Sequence, residues 1–187
     1  MGKSTVAKIL RSFGLPVYNA DKAVHALLTP GGKGVKPVAQ LFPEAVKKGA
    51  IDRHALGRLV FTSPAKLRRL EKILHPLAQK SEQAFIEKAR QKKVKAIVLE
   101  IPLLFETKAN KRCDVTICVT APRGVQKKRV MQRPGMTAPK FRAILKLQMP
   151  DREKRRRADH IISTAKSTTD TRRQLLKLWG ALQEGKV

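Results

Sequence analysis

The chain of 187 residues is long enough for one domain with a sizeable core, and its hydrophobic content of 42% is ordinary for a globular protein. No apolar run reaches the roughly 18 residues of a membrane span, and two cysteines are too few for a disulfide framework or a metal cluster, so we expect a cytoplasmic protein without membrane partners. Lysine and arginine number 41 against 14 aspartate and glutamate, a formal net charge of +27, which predicts anionic partners, either phosphorylated metabolites or nucleic acid.

The chain opens on a candidate phosphate-binding loop. The segment GKST at residues 2–5 matches the last positions of the motif G-x-x-x-x-G-K-[ST], and apolar residues with helical spacing follow up to Gly14. In such a loop, backbone N–H groups bind the phosphates, Lys3 reaches the β- and γ-oxygens, and the Ser4 hydroxyl binds Mg²⁺. The alternative is an ordinary helix that Ser4 or Thr5 merely caps.

A short strand and a candidate general base come next. Residues 15–18 are predicted to form a strand, and Asp21 follows it, at the carboxyl end where open parallel sheets bind ligands. A carboxylate at this position can accept a proton from a substrate hydroxyl while the loop holds ATP. The alternative is that Asp21 only caps the following helix.

The rest of the chain alternates between helical and strand patterns. The stretch from about residue 21 to residue 90 is predicted to be helical throughout, with helix starts at Asp52 and Ser63. The later predicted elements are strands at 96–99, 115–119 and 160–162, a helix at 124–132, a basic segment up to Arg157, and a last amphipathic helix with Leu175, Leu176, Trp179 and Leu182. This order predicts an α/β chain with a parallel sheet and a helical insertion.

Several stretches, in order and over essentially the whole chain, resemble the dephospho-CoA kinase family. They are GKSTVAKIL, PVYNADKAVH, IDRHALGRLVF, LEKILHP, IVLEIPLLFE, RVMQRPGMT and QMPDREKRRRADHII. The resemblance implies transfer of the ATP γ-phosphoryl group to the ribose 3′-hydroxyl of dephospho-CoA, the last step of coenzyme A synthesis. It also implies a three-layer α/β/α P-loop NTPase fold, with a core of about 1–21, 91–130 and 158–187, a helical substrate-binding insertion of about 22–90 and a lid of about 131–157.

The same resemblance implies roles for individual residues on the substrate side. Asp21 matches the second acid of the family's D-A-D motif, the catalytic base, whereas the first acid is replaced by Asn19. Glu100 stands where the family usually has aspartate, and it is expected to bind substrate together with Asp21. His75 matches another substrate-side residue, with a packed histidine as the alternative.

Three arginines match positions in the lid and its approach. Arg129 and Arg152 are expected to act in catalysis with Lys3, because phosphoryl transfer requires neutralisation of charge on the transferred group. Arg133 is expected to bind ATP, although Pro134 replaces the acidic or polar residue that often follows it. The alternative for the run 152–157 is a solvated helix face.

The family's sequence begins with a strand and a G-x-x-G segment ahead of GKST, so Met1 falls inside the loop. We therefore expect Met1 to be an internal methionine of a longer natural product, and the chain as it stands to bind ATP weakly. The expected ATP-binding residues are Met1, Gly2, Lys3, Ser4, Thr5 and Arg133.

Two other functions are compatible with the composition. The first is a basic nucleic-acid-binding protein built on an inactive kinase fold, and the second is another small-metabolite P-loop kinase. The presence of Lys3, Ser4 and Asp21 favours an enzyme over a binding protein. Dephospho-CoA and ATP are therefore the expected partners, and nucleic acid is not favoured.

Overall fold

A computed structural model describes residues 2–185, which combine α-helices with short strands. The helices are α1 (Lys3–Ser12), α2 (Ala20–Leu28), α3 (Val35–Leu41), α4 (Arg53–Phe61), α5 (Pro64–Gln91), α6 (Arg123–Met131), α7 (Ala138–Leu147), α8 (Asp151–Arg157) and α9 (Thr168–Gln183). The strands are β1 (Val17–Asn19), β2 (Val46–Lys47), β3 (Ala50–Ile51), β4 (Val98–Glu100), β5 (Ile117–Thr120) and β6 (His160–Ser163). Within the described part of the chain, no helix has the length and apolar character needed to cross a membrane.

The chain divides into two compact units. Unit 1 contains the chain up to Leu15 together with the chain from Pro102 onward, and unit 2 contains Pro16–Ile101. The predicted insertion of about 22–90 falls in unit 2, which also holds β1 and β4. The predicted lid of about 131–157 falls in unit 1, and the boundaries of core, insertion and lid stay predictions.

Unit 1 is built on a parallel strand pair with two helices packed together. Strand β5 pairs with β6 from Ile117 opposite His160 to Thr120 opposite Ser163. Helix α1 packs against α9, and Leu175 on α9 is completely buried. The predicted stop of the first helix at Gly14 is confirmed, since this glycine follows the helix end with φ of 84°.

Unit 2 contains the second parallel pair and a helical core. Strand β1 pairs with β4, so that Asn19 lies opposite Glu100 at the carboxyl ends of both strands. Helices α2 to α5 surround a cluster of buried side chains that includes Leu28, Val38 and Leu56. The predicted helix starts are confirmed, because Asp52 caps α4 and Ser63 caps α5 with side-chain hydrogen bonds to first-turn N–H groups.

The prediction of parallel strands in an α/β chain is confirmed by both pairs, but the prediction that the stretch from 21 to 90 is helical throughout missed two strands. Strands β2 and β3 form a small antiparallel hairpin there. Its turn residues, Lys48 and Gly49, both have positive φ, at 49° and 72°, which is the backbone of a two-residue hairpin turn. The conformation of the turn therefore makes this segment a hairpin. Its two-residue strands are too short to show the alternating apolar pattern of a strand in the sequence.

Candidate active site

The GKST segment begins α1 in unit 1. Gly2 adopts a left-handed backbone with φ of 88°, and Lys3 is the first helical residue. A Cβ on residue 2 would lie 2.9 Å from the Cγ2 and Oγ1 atoms of Thr164, so backbone angle and close contact both require glycine. Lys3 and Ser4 are exposed and Thr5 is half-buried. They occupy the helix end whose N–H groups point outward and can bind an anion.

Two threonines lie beside this helix end. Thr120 is the last residue of β5, and Thr164 directly follows β6. Thr164 is buried, and it donates to the Thr120 carbonyl from its N–H at 2.9 Å and from its hydroxyl at 3.2 Å. Because Thr164 also limits the space at Gly2, the start of α1 lies at the carboxyl edge of the β5–β6 pair. Met1, predicted to bind ATP, lies outside the described residues.

Arg129 is fixed next to the start of α1. It lies on α6, where its Nη1 donates to Thr164 Oγ1 at 3.0 Å and its Nη2 donates to the Thr164 carbonyl at 2.8 Å. The guanidinium is half-buried and always charged. The structure thus brings one predicted catalytic arginine to the residue that contacts Gly2, and it directs the arginine with two hydrogen bonds.

Arg133 and Arg152 are arranged differently. Arg133 lies in the turn after α6, and Arg152 lies in the first turn of α8. Both side chains are exposed, and within residues 2–185 neither makes a hydrogen bond or ion pair. Neither arginine is hydrogen-bonded to Thr164, as Arg129 is, and their predicted roles stay predictions.

In unit 2, Asn19 connects the ends of β1 and β4. Its Nδ2 donates to Glu100 Oε2, and its Oδ1 accepts from the Lys22 N–H at 2.8 Å, which makes Asn19 the N-cap of α2. Asp21 is therefore not the cap, and the helix-cap alternative for this residue is wrong. Asp21 lies exposed in the first turn of α2, two residues beyond the strand end.

His75 lies on α5 directly before Pro76. Its side chain is exposed, so the alternative of a packed core histidine is wrong. The structure leaves it on the surface of unit 2, accessible to a ligand.

Several residues beside the predicted ones were missed by sequence reasoning. Thr164 accepts from Arg129 and limits the space at Gly2. Thr120 accepts from Thr164 through its carbonyl, and its hydroxyl donates to Asp151 at 2.8 Å. Glu106 accepts from the Met149 N–H at 2.9 Å and pairs with a lysine of α8. The position of both threonines at predicted strand ends was a usable signal. Glu106 was visible only as part of the quoted stretch IVLEIPLLFE.

Comparisons with known proteins identify the family to which the chain is similar. The family model for dephospho-CoA kinase matches residues 1–170. The dephospho-CoA kinase of Rhizobium meliloti is 46% identical over 185 residues, covering 99% of this chain and 94% of the relative. The dephospho-CoA kinase of Paramagnetospirillum magneticum is 51% identical over 155 residues, covering 83% of this chain and 73% of the relative.

Two solved structures share the fold. A crystal structure from Thermus thermophilus matches with a TM-score of 0.80 at 37% identity, covering 97% of this chain and 92% of that chain. The dephospho-CoA kinase from Campylobacter jejuni matches with a TM-score of 0.75 at 29% identity, covering 100% and 94%.

A glycine-led helix start at the carboxyl edge of parallel strands, within this α/β architecture, defines a kinase of the P-loop class, as the sequence predicted. Such an enzyme uses ATP as its co-substrate. The chain belongs to the dephospho-CoA kinase family, which catalyses the final step of coenzyme A biosynthesis. The family expected from the sequence is confirmed.

Proposed function

We propose that the chain transfers the ATP γ-phosphoryl group to the ribose 3′-hydroxyl of dephospho-CoA, with Asp21 as the general base. The observation that carries this proposal is the division of roles at the end of β1. Asn19 caps α2 and holds Glu100, which leaves the Asp21 carboxylate exposed and unneeded for the cap. An exposed carboxylate at a strand end is suited to accept the hydroxyl proton as the oxygen attacks phosphorus.

The residues around Gly2 supply the positive side of the reaction. First-turn N–H groups of α1 and the Lys3 ammonium bind the ATP phosphates, and the fixed Arg129 guanidinium adds charge beside them. We assign the exposed Arg152 to the transferred group and the exposed Arg133 to the nucleotide. Phosphoryl transfer does not require a covalent intermediate with the protein, so positioning and electrostatic stabilisation of the transferred group supply most of the catalysis.

Mg²⁺ fits the residue types at the start of α1. The exposed Ser4 hydroxyl is a hard oxygen ligand in the first helical turn, and Mg²⁺ in kinases takes one or two protein oxygens with phosphate oxygens and water. When bound there, the ion would supply positive charge next to the phosphate oxygens of ATP. We assign Ser4 as its protein ligand.

The acceptor is bound by unit 2 in this proposal. Glu100, oriented by Asn19, and the exposed His75 are the proposed contacts, and the helices of about 22–90 form the substrate-binding insertion. The flanking segments, about 1–21, 91–130 and 158–187, form the core, with 131–157 as the lid. A cytoplasmic location follows from the proposed metabolic role.

A panel of acceptors tests the proposal. With ATP and Mg²⁺, the protein is expected to phosphorylate dephospho-CoA far faster than adenosine or a simple sugar, and the product should carry the new phosphate at the ribose 3′ position by NMR. Lys3→Met, which removes the ammonium from the loop, serves as the inactive control. Comparable turnover of adenosine would contradict the assigned acceptor. Tight salt-resistant binding of duplex or single-stranded nucleic acid without phosphorylation would favour the alternative function.

A further inference from the structure

The segment that leads into α8 is attached to a carboxylate from the turn after β4. Glu106 Oε1 accepts from the Met149 N–H at 2.9 Å and from Lys154 Nζ at 2.9 Å. Both side chains of the ion pair are largely buried, with 16% of Lys154 and 18% of Glu106 exposed. One carboxylate therefore holds the backbone ahead of α8 and the middle of the helix together.

A second carboxylate holds the same helix from its first residue. Asp151 Oδ2 accepts from the Thr120 hydroxyl at 2.8 Å, at the end of β5. Arg152 lies between Asp151 and Lys154, so the backbone on both sides of this arginine is attached to the strand-bearing part of unit 1. We call the contacts of Glu106 with Met149 and Lys154 the α8 clamp.

The turn that presents Glu106 is itself well ordered by local hydrogen bonds. Thr107 donates to the Leu103 carbonyl from its N–H at 3.0 Å and from its hydroxyl at 2.8 Å, and Lys108 N–H donates to the Phe105 carbonyl at 3.1 Å. Phe105 is buried. Burial alone would raise the pKa of Glu106. The hydrogen bonds from Lys154 and from the backbone N–H groups of Glu106 and Met149 outweigh it and hold that pKa below its ordinary value.

Another acidic residue of α8 provides a contrast. Glu153 accepts from Arg156 Nη2 at 3.0 Å and from Arg157 Nε at 2.8 Å, both within the same helix. These pairs join residues of α8 to one another, whereas the α8 clamp joins α8 to a different part of unit 1. The two glutamates are thus alike in chemistry and different in what they attach.

We propose that Glu106 is a positioning residue for phosphoryl transfer, which clamps the start of α8 and so fixes the backbone from which Arg152 reaches the transferred group. The inference rests on the role proposed for Arg152 above. In this proposal, the end of the predicted lid that contains α8 is attached to β5 and to the turn at Glu106. Arg152 is then aimed without a rearrangement of its own helix during the reaction.

The test is a double-mutant cycle between Glu106→Gln and Arg152→Ala. Glutamine keeps an oxygen for the Met149 N–H but loses the ion pair to Lys154. We expect kcat to fall by about 10- to 100-fold, since misplacing a group by about 1 Å costs on the order of 100-fold, while KM for ATP changes little. In the Arg152→Ala background, Glu106→Gln is expected to have almost no further effect on kcat.

Glu153→Gln is the matched control, and it should leave kcat unchanged. Lys154→Met breaks the ion pair from its other side and should reproduce the loss, and thermal unfolding confirms that each variant is folded. If Glu106→Gln lowers kcat by the same factor in the wild-type and Arg152→Ala backgrounds, Glu106 does not act through Arg152 and the proposal is overturned. An unchanged kcat in a folded Glu106→Gln variant would overturn it as well. Wild-type turnover of Arg152→Ala would instead remove Arg152 from the proposed mechanism, and with it the inference.

Discussion

Asn19 and Asp21 follow the same strand but have different surroundings. The Asn19 amide uses its nitrogen for Glu100 and its oxygen for the Lys22 N–H. An aspartate at position 19 would place two carboxylates in contact, whereas the amide donates to Glu100 and holds it. The departures from the family pattern at positions 19 and 100 are therefore joined by one hydrogen bond, and neither bond of the Asn19 side chain involves Asp21.

Replacing Asp21 with asparagine isolates the proposed base. The change keeps the size of the side chain and leaves the cap at Asn19 in place, but it removes the proton acceptor. We expect kcat to fall by roughly 10²–10⁴-fold with little change in ATP affinity, measured by steady-state kinetics and calorimetry. Thermal unfolding should show a folded protein of near wild-type stability. Turnover close to wild type would remove Asp21 from the mechanism.

At the scale of elements, β5 and β6 are joined by side chains as well as by the backbone ladder. Asp159, just before β6, accepts from the Thr116 N–H at 2.7 Å and from the Thr116 hydroxyl at 2.6 Å. These bonds hold the pKa of Asp159 below its ordinary value. They fasten the amino ends of the strand pair whose carboxyl ends carry Thr120 and Thr164.

The pKa of Asp159 predicts how acid affects this pairing. The pKa of Asp159 is lower in the folded chain than in the unfolded chain, so the ionised carboxylate stabilises the folded chain. This stabilisation is complete above the ordinary pKa of about 4, and it is lost as the pH falls through the pKa of the folded chain. At pH 7, Asp159→Asn should lower Tm by about 2–4 °C, which corresponds to roughly 1 kcal/mol. This is less than the roughly 1.5–3 kcal/mol of a typical hydrogen bond to a charged group, because the Asp159 carboxylate is exposed.

Thermal unfolding between pH 7 and pH 3 measures this effect. The difference between wild type and Asp159→Asn should shrink as the solution becomes acidic. Asp114→Asn, at an exposed aspartate two residues before Thr116, is the control and should leave Tm unchanged. A Tm difference for Asp159→Asn that stays constant over this range would show that the carboxylate charge does not stabilise the strand pair.

For the molecule as a whole, the net charge of +27 is the dominant electrostatic property. ATP and dephospho-CoA are both polyanions, so the field of the protein should accelerate their approach. Between about 0.01 M and about 0.1 M ionic strength, the screening length falls from about 30 Å to about 10 Å. We expect kcat/KM for ATP to fall by about 10-fold or more over this range, with a smaller change in kcat.

Steady-state kinetics in a series of KCl concentrations measures this dependence. Sucrose at matched osmolarity is the control, because it changes water activity without screening charge. A kcat/KM that is unaffected by salt would mean that the positive surface does not attract the substrates.

The sequence predicted those features of the fold that depend on neighbouring residues. Asp52 and Ser63 begin helices because their side chains accept from N–H groups two or three residues away, which requires no distant contact. The helix end at Gly14 and the parallel strands were predicted for similar reasons. The kinase family was identified from motifs in order. The hairpin at 46–51 was missed because two-residue strands carry no visible period.

Contacts between distant residues were decided by the tertiary structure. The last helix shows this in its simplest form: Leu175 and Leu176 have the same apolar character, yet one is fully buried and the other is 49% exposed, since successive helical residues point about 100° apart. The Arg129–Thr164 bonds join residues 35 positions apart, and the Glu106–Met149 bond of the α8 clamp joins residues 43 positions apart. A hydrogen bond forms only when its atoms meet within a few tenths of an ångström of about 2.9 Å, and packing alone sets that distance. The sequence therefore determined the fold class, the family and the chemistry of the candidate residues, and the fold determined which of them are held in place.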